Sequence, residues 1–169
     1  VYSTFYICWG AQAGLYHHFG INKCIMDEKL FGVYEHDIYN DRPVLLRGFD
    51  EKFWMPHSRH TTNSLQQIKE NRNLELLAGS EATGAAIVRS LDNKHIFVFG
   101  HAEYDWDTLN REYVRDIEKG MDIAVPENYF PDDDPKQRPV VRWRSVSTLL
   151  FTNWLNYYVY QETPYIIEQ

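Results

Sequence analysis

Ser3-Thr4-Phe5-Tyr6-Ile7-Cys8-Trp9-Gly10-Ala11-Gln12-Ala13-Gly14 opens the chain and decides how the rest of it is read. Residues 4–8 are mostly β-branched or aromatic, the composition of a buried strand. Gly10 permits a tight turn, and residues 10–19 read as a helix that stops at Gly20. A cysteine falls at the corner. There a thiol stands at the end of a sheet with a helix N-terminus aimed at it, which favours the thiolate. The backbone N–H of Trp9 is placed to meet a developing oxyanion. The local pattern admits a second reading, a buried structural cysteine. Tyr6 is also bulkier than the glycine such corners usually carry two residues before the nucleophile.

A nucleophile needs a base. The strand His95-Ile96-Phe97-Val98-Phe99 stops at Gly100, and His101-Ala102-Glu103 follows. In an extended segment, alternate residues point the same way, so Glu103 can orient the His101 ring and stabilise its imidazolium. A solvated loop with an incidental acid fits His101 and Glu103 taken alone. A cysteine at one strand end and a His-x-Glu at another is more specific than either part.

The intervening chain reads as strands and helices in alternation. Residues 30–39 and 43–47 alternate polar and apolar around Asn40-Asp41-Arg42-Pro43, the pattern of two antiparallel strands joined by a turn. Phe53-Trp54-Met55-Pro56 is a short apolar run closed by its proline, and the polar cluster His57-Ser58-Arg59-His60 follows. Residues 64–71 read as one or two helical turns, and 73–78, 84–90 and 95–99 as strands. Residues 107–119 have helical periodicity closed by Gly120. Residues 122–141 are loop, and 144–160 is a helix apolar on most faces. The sum is an α/β layered sheet with an antiparallel excursion, in one domain over 1–169. In such sheets chemistry gathers at the carboxyl ends of strands, where Cys8 and His101 fall.

The net charge of −7 argues against nucleic acid as a partner. No apolar run approaches the ~20 residues that span a bilayer. Two cysteines, Cys8 and Cys24, make no disulfide framework, which points to a reducing, cytoplasmic setting. The first residues show no secretory pattern, and the chain starts at Val1 directly on a strand, as a piece of a longer protein would. His17, His18, His36, His57 and His60 show no zinc-ligand spacing with thiolates, so no metal is expected. By local pattern Lys29 is a solvated charge and Ser58 a loop hydroxyl. Arg115 is either a surface partner of Glu112 or Asp116 or a bidentate clamp for a substrate carboxylate.

The runs Cys8–Gly14, Phe31-Gly32-Val33, Pro56–His60, Glu103-Tyr104-Asp105, Asn128-Tyr129-Phe130-Pro131 and Leu150–Gln161 together resemble the bacterial homoserine O-acyltransferases, which open the methionine pathway. The resemblance covers essentially the whole chain. It implies a flavodoxin-like sheet of the class I glutamine amidotransferase type, incomplete here at its N-terminus. It implies Cys8 as the acyl-thioester nucleophile, His101 as general base, Glu103 as its partner, and Lys29, Ser58 and Arg115 around the homoserine site. It further implies a cytoplasmic homodimer that uses acyl-CoA as co-substrate, with no permanently bound cofactor, and acetyl rather than succinyl as the commoner acyl group. His-Ala-Glu stands where the family usually has His-Pro-Glu, which makes the loop less rigid. The rival readings are a glutamine amidotransferase or cysteine hydrolase with the same triad, and a non-catalytic interaction domain whose C-terminal aromatic helix is a dimer face.

Overall fold

A computed structural model describes residues 2–39 and 43–164. Strand β1 (Thr4–Ile7) leads into helix α1 (Trp9–Phe19). Two long strands follow, β2 (Lys23–Ile38) and β3 (Lys52–Asn63), then the short helix α2 (Leu65–Glu70). Strands β4 (Leu74–Ser80), β5 (Gly84–Ser90) and β6 (His95–Val98) complete the sheet, and helices α3 (Thr108–Glu118) and α4 (Arg144–Trp154) end the element order. The sheet runs β1-β6-β5-β4-β2-β3. Only β1 and β6 are parallel, and the other neighbours are antiparallel.

Alternation along the strands builds two cores. Ile87, Ile96 and Val98 face one side, where Val146 and Leu150 of α4 pack with Leu45, Leu46 and Met55. Val88, Phe97 and Phe99 face the other, against Ala11 and Leu15 of α1 and Ile68 of α2. A third cluster of Phe31, Val33, Leu109, Tyr129 and Trp143 ties β2 to α3 and to the 122–143 segment.

Three expectations change. Residues 43–47 are not a strand: Val44–Leu46 is a 3-10 turn, and β2 pairs instead with β3. Leu45 and Leu46 are both fully buried. Consecutive strand residues point to opposite faces, whereas a tight turn sends both toward one core. The buried Asn153 side chain secures that turn by donating to the carbonyls of Leu45 and Arg47 at 3.0 and 2.8 Å. The turn expected at 40–42 lies outside the described residues. Secondly, the polar cluster after Pro56 is not a loop: β3 runs on through His57–His60 to Asn63. Proline is tolerated on an edge strand, and β3 is one. Thirdly, the C-terminal helix is α-helical only to Trp154, and Leu155–Tyr160 is a π-helical turn. That turn buries Tyr158 and leaves Tyr157 to accept a 2.7 Å hydrogen bond from Arg47.

The β2–β3 hairpin crosses the carboxyl ends of β1 and β6. The Pro56 carbonyl accepts the His101 N–H at 2.7 Å, so β3 closes over the His101–Glu103 loop. Gly100 makes this approach possible, since a Cβ there would stand 2.7 Å from Met55 and 2.9 Å from the Pro56 carbonyl oxygen.

Candidate active site

Cys8 sits between β1 and α1 with φ 48° and ψ −111°, a conformation L-residues rarely adopt. Strain of this kind costs on the order of 1–3 kcal/mol and gathers at functional positions. It is held by the sheet, because the Cys8 N–H donates to the Val98 carbonyl at 2.8 Å. The Trp9 N–H lies in the first turn of α1, where N–H groups lack intrahelical acceptors. The bulk of Tyr6 is absorbed by Gly14. A Cβ at Gly14 would lie 3.0 Å from the Tyr6 ring, which stacks on Phe97 at 4.9 Å.

His101 and Glu103 come together, though not through extended backbone. The Tyr104 N–H closes onto the His101 carbonyl at 3.2 Å, so the segment is a turn. Within it His101 Nδ1 bonds Glu103 Oε1 at 2.7 Å. The turn is anchored from outside. Ala102 is buried in the main core, and Trp143 Nε1 donates to the Tyr104 carbonyl at 2.9 Å. Packing thus supplies the rigidity that proline would otherwise bring. The Tyr104 ring stacks on His101 at 4.2 Å.

Burial alone would lower the His101 pKa. Hydrogen bonds to Cys8 and Glu103, and the charges of both, outweigh it and raise the value to about 9. His101 therefore holds its proton at neutral pH, between the sulfur and the carboxylate. With Nδ1 given to Glu103, Nε2 is the nitrogen left for Cys8. A histidine so placed is suited to serve a neighbouring nucleophile.

Lys29, Ser58 and Arg115 meet on two carboxylates of α3. Lys29 Nζ lies 3.1 Å from Glu112 and 3.4 Å from Asp116. Ser58 Oγ donates to Glu112 at 2.6 Å. Arg115 pairs with Asp116 at 2.6 Å and reaches Glu112 at 3.6 Å. Burial of Asp116 would raise its pKa, but the hydrogen bonds from Arg115 and Lys29 win and hold it low. Lys29 reaches this cluster through an irregularity in the β2–β3 pairing, where register shifts between Ile25 and Leu30. Such bulges re-aim side chains. Ser58 joins cluster to triad, since its carbonyl lies 4.0 Å from the Cys8 sulfur.

Several neighbours were not singled out from the sequence. Glu112 and Asp116 entered only as surface partners of Arg115. Their i, i+4 spacing on one helix face is the clue that was there to use. Arg59, within the polar cluster that follows Pro56, is buried and donates to the carbonyls of Thr61 and Thr83 at 2.8 and 2.6 Å. Burial lowers its pKa to about 10, offset in part by the charges of Cys8 and Tyr34. Behind it, His36 and His57 are fully buried and share an Nε2–Nε2 hydrogen bond of 2.9 Å. Burial lowers both, His36 to about 4 and His57 well below the ordinary value. A base depressed in the folded state stabilises above its unfolded pKa and loses that contribution as pH falls. Between pH 6.5 and 4 His36 therefore withdraws about 3 kcal/mol. The expected result is an unfolding free energy that drops across that window, and a His36→Gln variant in which the drop is smaller. Equal slopes for both proteins in urea titrations would refute this account.

A cysteine at a strained strand–helix corner with a His-x-Glu at the next strand end narrows the comparison to known proteins. The family model described as homoserine O-succinyltransferase matches residues 1–165. The chain belongs to this family. A homoserine O-acetyltransferase of Clostridium acetobutylicum is 58% identical over 165 residues, covering 98% of this chain and 55% of the relative. One of Petrotoga mobilis is 54% identical over 168 residues, covering 99% and 54%. The chain thus spans about half the length of these curated relatives. A glutamine amidotransferase structure from Methylobacillus flagellatus superposes with a TM-score of 0.63 at 14% identity, covering 98% of this chain and 66% of that one. Another from Thermotoga maritima gives 0.56 at 18%, covering 88% and 53%. At such identities the likeness is one of fold. It agrees with the amidotransferase-type layered sheet expected for the family. No helix among the described residues is long and apolar enough to cross a membrane.

Proposed function

We propose that the protein containing this chain transfers an acyl group from acyl-CoA to the side-chain hydroxyl of L-homoserine through a Cys8 thioester. The observation that carries the reading is His101, hydrogen-bonded to Glu103 and turned toward Cys8, beside a cluster of paired polar groups at Lys29, Ser58, Glu112 and Arg115. The Cys8 thiolate attacks the thioester carbonyl, its oxyanion directed to the Trp9 N–H. The tetrahedral intermediate collapses and expels CoA, which leaves as the free thiol on taking the His101 proton. The now neutral imidazole accepts the hydroxyl proton of homoserine as that oxygen attacks the Cys8 thioester. O-acyl-homoserine departs, and the restored thiolate again faces the imidazolium. Glu103 stabilises the charged ring at both ends of this cycle.

Homoserine is a zwitterion, and the α3 cluster offers both signs of charge. Arg115 is the fork suited to its carboxylate, with Lys29 as a second cation, while Glu112 is the acceptor for its ammonium. Acetyl is the acyl group we assign, in line with the names of the curated relatives. A cytoplasmic homodimer serving methionine biosynthesis completes the reading.

The test is thiol release. Acetyl-CoA should give free CoA in an amount that rises with added L-homoserine, with O-acetylhomoserine as co-product. Ammonia release from glutamine without acyl transfer would overturn the reading in favour of an amidotransferase.

A further inference from the structure

Two backbone paths set Glu103 beside His101, an extended strand and a turn. They differ at the next residue. Along a strand, three residues cover about 10 Å. Across a hydrogen-bonded turn, the first and fourth Cα atoms stand within about 7 Å. The turn that the Tyr104 N–H closes on the His101 carbonyl therefore returns residue 104 to residue 101. The Tyr104 ring lands flat on the imidazole, with centroids 4.2 Å apart and planes 18° from parallel. The acid contact needs no turn, whereas the stack does.

The protein holds Tyr104 firmly in this place. Its N–H is tied to His101, and its carbonyl accepts from Trp143 Nε1 at 2.9 Å. Its ring packs against the third core cluster of Phe31, Val33, Leu109, Tyr129, Phe130 and Trp143. The hydroxyl makes no hydrogen bond among the described residues, so backbone and ring, not the phenol oxygen, fix the side chain. Burial, then the charges of Glu112, Glu103 and Cys8, push its ionisation up, so the ring offered to His101 is a neutral one. The His101 side chain needs such a neighbour. A hydrogen bond from Glu103 at Nδ1 sets the tilt of the imidazole only loosely, since hydrogen-bond angles are broad.

We infer that Tyr104 is a positioning residue for His101: its ring fixes the tilt of the imidazole, hence the aim of Nε2 at the Cys8 sulfur, and its π face favours the imidazolium. The inference rests on His101 being the base of the transfer proposed above. Through Tyr104 the stiffness of the third core reaches the side chain that must meet first the sulfur and then the acceptor oxygen. The titratable groups about that imidazole are Glu103 and Tyr104 on its own loop, Cys8 at the α1 corner, and His57 on β3, which burial keeps neutral.

Substitutions at position 104 of the full protein test it. Tyr104→Leu keeps bulk without a flat face. It should lower kcat about tenfold or more, while KM for donor and acceptor each change by less than about threefold. Tyr104→Phe keeps the ring and should restore most of that turnover. If Tyr104→Phe is as slow as Tyr104→Leu, or Tyr104→Leu as fast as the unaltered protein, the inference is overturned. The imidazole is read directly by NMR titration of His101. Its midpoint should lie about half a pH unit lower in Tyr104→Leu, because the imidazolium has lost a π face. Fluorinated phenylalanines in place of Tyr104 keep the shape and drain the π face, so they serve where Tyr104→Leu does not fold. The midpoint should step down with each added fluorine, and a midpoint unmoved through the series overturns the inference. If the unaltered protein transfers no acyl group, the functional reading fails, and the same titration still decides whether Tyr104 governs His101.

Discussion

Cys8→Ala should abolish formation of an acyl-enzyme and lower turnover by roughly four orders of magnitude or more, the usual cost of removing a covalent nucleophile. The reason lies in the corner itself. The sulfur is presented by backbone with φ 48°, is faced by the protonated His101, and lies at the first turn of α1. Nothing else at the site is a nucleophile in that position. The Ser58 hydroxyl is donated to Glu112 at 2.6 Å. Mass spectrometry after mixing with labelled acetyl-CoA checks the point: a Cys8→Ala protein that still becomes acetylated would remove Cys8 from the mechanism. The backbone adds a second readout. Glycine adopts this φ without a Cβ penalty, so Cys8→Gly should be as inactive as Cys8→Ala yet more stable by about 1 kcal/mol. Stability gained where activity is lost is the mark of strain kept for function.

Glu112→Ala is the second large effect, and it should divide the two half-reactions. Glu112 accepts from Ser58 and pairs with Lys29, whose side chain is only 14% exposed, so its loss leaves that shielded cation with Asp116 alone, at 3.4 Å. Interactions of charged groups in such places contribute about 1.5–3 kcal/mol each. We expect kcat/KM for homoserine to fall at least about 100-fold. Acetylation of Cys8 by acetyl-CoA should proceed if, as proposed, this cluster serves the acceptor. Glu112→Gln retains an acceptor for Ser58 while losing the charge, and should fall between the two. If Glu112→Ala loses acetylation to the same degree as transfer, the α3 cluster supports the fold rather than the acceptor, and the assignment of Lys29, Ser58 and Arg115 to homoserine goes with it.

The Cys8 corner and the His101–Glu103 contact were legible because each is announced by short-range chemistry. A strand run, a glycine turn and a helix start surround Cys8, and a strand end with a glycine precedes His101. The backbone path that joins His101 to Glu103 was misread as extended. Two residues of spacing fit a turn as well as a strand, and the Tyr104-to-His101 hydrogen bond and the burial of Ala102 choose the turn. The β2–β3 hairpin was misread for a similar reason. Alternation at 43–47 has the look of a strand, but Leu45 and Leu46 both belong to the core below α4.

By itself, then, the sequence determined the layered α/β class, the cysteine corner and the His-x-Glu, all written in stretches of a few residues where local backbone preference decides conformation. Only the tertiary structure decided what stands around them. Lys29, Ser58 and Glu112 are separated by tens of positions and come together because a register shift in β2, an edge strand that tolerates Pro56, and one face of α3 converge at the same sheet end. Arg142 and Arg138 likewise rest on Trp54 and Trp106, rings supplied by distant segments. Long-range packing fixes such neighbours, and no local propensity encodes it.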